Sequence, residues 1–137
     1  MNASRRQRWL RAALLVGALY LLIGRVFAVP ADHPRAWRLA AWVISGAVYA
    51  AHIGYEHFGL RHSPRSTALH AASAVAIGAF ALAVAGMLHT LSAALTIQPS
   101  WLLALFVLPA AIAVPAFLVA LVAGVVLARL RPSANAE

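Results

Sequence analysis

Cysteine is absent from this chain, which excludes disulfides, thiolate metal sites and thiol redox chemistry. Lysine is absent too, so all eleven cationic residues are arginines. Acids are scarce: Asp32, Glu56 and Glu137 are the only three. Charged residues fill 10% of the 137 positions, against 64% for hydrophobic ones. A soluble domain of this length needs a polar surface that such a composition cannot supply.

What the chain does have is four long apolar runs, at about 9–29, 36–60, 66–91 and 101–128. A helix needs about 20 apolar residues to cross a bilayer. Four crossings use most of the chain and leave no room for an aqueous domain. The expected fold is therefore an all-α integral membrane protein, an antiparallel four-helix transmembrane bundle forming one domain. Residues 131–137 read as a short disordered cytoplasmic tail. Arg5, Arg6 and Arg8 before the first run, with Val26-Phe27-Ala28 after it, resemble a signal peptide. Arg25 beside that cleavage site argues for a retained helix. Asp32-His33-Pro34 reads as the turn before the second run, and Ser63-Pro64 as its end. Pro109 and Pro115 should tilt or kink the fourth helix.

The net charge of +8 raises the question of nucleic acid. The arginines form no basic stripe with interleaved aromatics, so nucleic acid is not an expected partner. They flank the apolar runs, where such side chains snorkel to headgroups and set topology. With the N-terminus in the cytoplasm, Arg5, Arg6, Arg8, Arg11, Arg61, Arg65, Arg129 and Arg131 lie inside. Only Arg25, Arg35 and Arg38 lie outside. Eight against three satisfies the positive-inside rule with both termini cytoplasmic. The partners this implies are the lipid bilayer and its anionic headgroups. The Ala-rich, Arg-only composition points to a bacterial cytoplasmic (inner) membrane. Trp9, Trp37 and Trp101 fall near helix ends, as an interfacial aromatic belt requires.

Ionisable groups inside apolar runs are costly and mark function by default. On the second run Arg38, Trp42, Ser45, Tyr49, His52 and Glu56 recur every three or four residues, on one helical face. Such a face is expected to line the bundle interior. It serves either as interhelical hydrogen-bonding glue or as a proton path through Arg38, Ser45, Tyr49, His52 and Glu56. Gly46, Ala50 and Gly54 form a separate ridge of small residues. With Ala74 and Gly78 they are the expected close-packing positions, within the bundle or between copies.

His52, Glu56 and His57 lie before the second turn, and His70 opens the third run. A haem b would take His52 or His57 with His70. A divalent metal would take His52, Glu56 and His70. A proton-coupled channel or transporter would use Glu56 with His52. His62 reads as a solvated loop residue beside Arg61, and His57 and His89 as polar tips near the interfaces. The string around Glu56 is not the His-Glu-x2-His of zinc peptidases, and no motif assigns a reaction. The leading expectation is a non-enzymatic accessory or oligomer-forming membrane protein with a polar His/Glu interior and no cofactor. It would be a homo-oligomer or a subunit of a membrane complex. The haem, metal and proton readings are the alternatives.

Overall fold

A computed structural model describes residues 3–27, 33–94 and 99–130. They are helical almost throughout: α1 (Ala3–Val26), α2 (Pro34–Gly54), a π-helical turn (Tyr55–Gly59), α3 (Pro64–Ala94) and α4 (Pro99–Arg129). In an apolar solvent the backbone must satisfy itself, and a helix does so within one segment. The tail 131–137 and Asp32 lie outside the described residues.

Proline opens α2, α3 and α4. At the first helical position its missing N–H is one that would have no partner anyway. Ser63 caps α3: its carbonyl accepts the Thr67 N–H at 2.9 Å and its hydroxyl the Ser66 N–H at 3.4 Å. Ser63-Pro64 thus starts the third helix rather than merely ending the second run. Pro109 and Pro115 sit inside α4, which runs on through both.

Among the described residues, three helices are long and apolar enough to cross a membrane: Gln7–Val26, Pro64–Ala93 and Leu102–Arg129. The second run, expected as a further crossing, is not among these three. α2 carries Arg35, Arg38, His52 and two tryptophans within 21 residues, and its α-helical part ends at Gly54. It falls short of its neighbours in apolar length.

α3 is the central helix. It packs along α1 on one side and α4 on the other, while α2 is held lightly. The buried positions are small: Ala13, Ala68, Ala71, Ala74, Ala83 and Ala120 are nearly or fully inaccessible. Large apolar side chains point outward instead, with Phe106 and Leu15 more than two-thirds exposed. This is the arrangement hydrocarbon favours, because close backbone approach replaces hydrophobic exclusion as the source of packing energy. A Cβ on Gly17 would stand 2.8 Å from Ile77, one on Gly78 2.7 Å from Tyr20, and one on Gly24 2.6 Å from Leu82. The constant offset shows α1 and α3 side by side in the same direction. α4 meets α3 through Ala68, Ala71 and Ala120, backed by Phe117, Leu121 and Leu127. A Cβ on Gly124 would lie 3.1 Å from Pro64 at the start of α3.

Candidate metal centre

The second turn builds the site. The α-helical bonding of α2 gives way at Tyr55 to a π turn, in which the Leu60 N–H reaches the Tyr55 carbonyl at 3.1 Å. π turns are rare and concentrate at functional positions. The wider turn rotates less per residue, so the adjacent Glu56 and His57 are both buried, at 0% and 2% exposure. The chain then reverses through Arg61, a non-glycine residue in the left-handed region at φ 52°. This is the conformation that commonly ends helices. It lets the His62 N–H return to the Glu56 carbonyl at 3.2 Å. The imidazole of His62 is folded back with it.

The Glu56 carboxylate is the focus. His70 Nδ1 lies 2.9 Å from its Oε2, and His62 Nδ1 hydrogen-bonds the same oxygen. The two imidazoles meet edge to face at 4.9 Å between centroids. Trp9 of α1 stacks on His70, with centroids 4.3 Å apart and planes within 3°. Glu56, His62 and His70 each offer a ligand atom, all within 4.8 Å of one another. The second carboxylate oxygen, Glu56 Oε1, is buried without a hydrogen-bond partner among the described residues, as is Thr67 Oγ1.

This donor set suits a divalent transition metal. Two nitrogens and a carboxylate oxygen form a mixed shell of the kind zinc and its neighbours accept. Metal–ligand bonds of about 2.0–2.1 Å put tetrahedral ligands about 3.3 Å apart. His70 and Glu56 at 2.9 Å are slightly closer, which matches a hydrogen-bonded cluster that opens by a few tenths of an ångström on taking a cation. Three protein ligands leave one position for water or an exchangeable group. The tryptophan stacked on His70 limits the positions that ring can adopt.

The sequence-derived candidates are redistributed. His70 and Glu56 are in the triad. His62, read as a solvated loop residue, is the third member, and its side chain is only 11% exposed. Its signal in the sequence was indirect: a histidine in the short segment between a helix end and a proline that starts the next helix. His57 is not a solvated polar tip but is buried, with Phe58 edge to face at 4.9 Å. His52 is also buried, but it lines a groove between α1 and α2 rather than the triad. His33 and His89 are exposed.

The polar face of α2 turns inward only over its second half. Tyr49 donates its hydroxyl to the Ala116 carbonyl of α4, and Ser45 is half-buried. Arg38 is exposed and bonds its own helix at the Pro34 carbonyl, 3.1 Å away. Trp42 is 78% exposed. The expectation that Arg38 and Trp42 face the interior is corrected: both are exposed, although Trp37 in the first turn of α2 meets Phe27 at 5.6 Å between centroids. Among the small residues, Ala74 and Gly78 lie against α1, whereas a Cβ on Gly46 or Gly54 would meet nothing within 4 Å and Ala50 is exposed.

No protein-family model, curated protein or solved structure matches this chain.

Proposed function

We propose that this is a polytopic protein of the bacterial cytoplasmic membrane that binds one divalent transition metal ion near the cytoplasmic face. Glu56, His62 and His70 are the ligands. The observation that carries this reading is the convergence of two imidazoles on one fully buried carboxylate. That carboxylate comes from one of only three acids in the chain. A buried charge needs compensation, and a metal with two neutral imidazoles supplies it. In this proposal the helices form an antiparallel four-helix bundle with α2 as the fourth, least apolar crossing. Both termini are cytoplasmic, because eight of eleven arginines then lie inside.

The test is metal binding by purified protein in lipid nanodiscs after chelator treatment. One zinc ion per chain is expected by elemental analysis, and cobalt should give the visible bands of a four-coordinate site. Glu56→Gln, His62→Ala and His70→Ala should each weaken binding at least tenfold, while His89→Ala leaves it unchanged. Affinity should fall as pH falls, because protons compete for the same imidazole nitrogens. Binding that survives all three ligand substitutions refutes the site. A metal-free cluster with proton flux in liposomes, abolished by Glu56→Gln, would assign it to proton movement instead.

A second reading is favoured by the open ridge at Gly46, Ala50 and Gly54: the protein forms homo-oligomers or joins a larger membrane complex as a subunit. Small residues facing open space on a lightly held helix suit close approach by another helix. Gly54→Leu should lower the oligomer fraction in cross-linking without altering metal stoichiometry.

A further inference from the structure

A groove of about 530 Å³ runs between α1 and α2. Its walls are aliphatic, from Leu15, Val16 and Leu19 on α1 and Val48 on α2. Arg8 and Arg11 stand at one end, with Tyr55 opposite. Both arginines are exposed. Neither has an acid opposite it in the groove, since none of the lining residues is acidic. Within the wall sits His52, only 4% exposed, with Nε2 buried and without a hydrogen-bond partner among the described residues. The triad uses none of these groups.

The dimensions are those of one membrane leaflet. From Arg8 to Leu19 a helix rises about 16 Å, roughly half of the ~30 Å hydrocarbon core. The polarity follows the same axis. Two cations stand at the headgroup end, a buried imidazole lies about 4.5 Å along α2 from Tyr55, and only hydrocarbon walls lie beyond. An anionic phospholipid has that order: phosphate, glycerol ester, acyl chain. Arginine is the better cation here, because its fork pairs with phosphate oxygens.

We propose that the α1–α2 groove is a specific site for one anionic phospholipid of the cytoplasmic leaflet. The phosphate pairs with Arg8 and Arg11. His52 Nε2–H donates to an ester carbonyl. One acyl chain lies along Leu15, Leu19 and Val48. The lipid seals the weak contact between α1 and α2, which explains how a lightly held helix carries a buried carboxylate at its end. The site rests on the membrane placement proposed above and not on the metal.

The test is lipid retention. Protein in nanodiscs of equimolar phosphatidylglycerol and phosphatidylcholine is released into a mass spectrometer, and retained lipids are counted. One phosphatidylglycerol per chain is expected, in preference to phosphatidylcholine. Arg8→Gln and Arg11→Gln should each cut that preference about fivefold, the effect of about one surface cation on an anionic lipid. Both positions are exposed, so these variants should fold. Ala51→Phe fills the groove without touching either charge and should abolish retention of both lipids. Equal retention of the two lipids would overturn the proposal. So would retention unchanged by Ala51→Phe in protein that still reaches the membrane, since the arginines would then act only on the surrounding lipid. Because the readout is lipid mass, loss of this site and loss of the metal site are told apart by elemental analysis of the same samples.

Discussion

His62→Ala separates two pictures of the second turn. A solvated loop histidine loses almost nothing on truncation, within about 0.5 kcal/mol. The structure implies a larger cost. His62 Nδ1 bonds an oxygen of a carboxylate that is itself 0% exposed, and its own side chain is 11% exposed. A hydrogen bond to a charged group is worth about 1.5–3 kcal/mol. His70 remains on the same oxygen at 2.9 Å, so the carboxylate keeps one partner and the loss stays within that range. The expected destabilisation is thus about 1.5–3 kcal/mol, or about 10-fold to 150-fold in the unfolding equilibrium. The assay is equilibrium unfolding in mixed micelles, without metal, of wild type, His62→Ala, Glu56→Gln and the double variant. The coupling energy between the two sites should exceed about 1 kcal/mol, because the interaction is pairwise and direct. A His62→Ala cost below about 0.5 kcal/mol with no coupling to Glu56 would refute the folded-back turn and the triad with it.

Other substitutions probe the frame around the site. Gly78→Ala places a Cβ 2.7 Å from Tyr20 and 3.2 Å from the Gly17 carbonyl; α1 and α3 must separate, at about 1–3 kcal/mol by thermal unfolding. Gly46→Ala meets nothing within 4 Å and should instead stabilise the monomer by up to about 1 kcal/mol through helix propensity. Arg61→Gly relieves a side chain held at φ 52°. It should raise stability by about 1 kcal/mol in the same assay, with metal stoichiometry unchanged.

How much of this was legible beforehand differs from residue to residue. The apolar runs announced helices, since in hydrocarbon few other backbones are satisfied. Glu56 and His70 stood out because an ionisable group in such a run is costly wherever it lies. His62 did not, because its burial depends on the left-handed Arg61 rather than on any periodicity. The polar face of α2 was visible as a repeat, yet the repeat says only which residues share a face. It does not say how far along the helix that face stays covered. Tyr49 reaches α4, while Arg38 and Trp42 remain outside. The small residues behave the same way: Gly78 lies against α1 and Gly46 against nothing, though both look alike in sequence.

Composition and local periodicity were enough for the helical class and the long apolar spans. Both act within one segment. The tertiary structure alone decided which helices touch, that α3 is central and α2 peripheral, and that Glu56 gathers His62 and His70 beneath Trp9. Those choices depend on backbone approach distances between segments far apart in the chain, and on a π turn and a left-handed reversal whose effect is to re-aim side chains without changing the pattern of residue types.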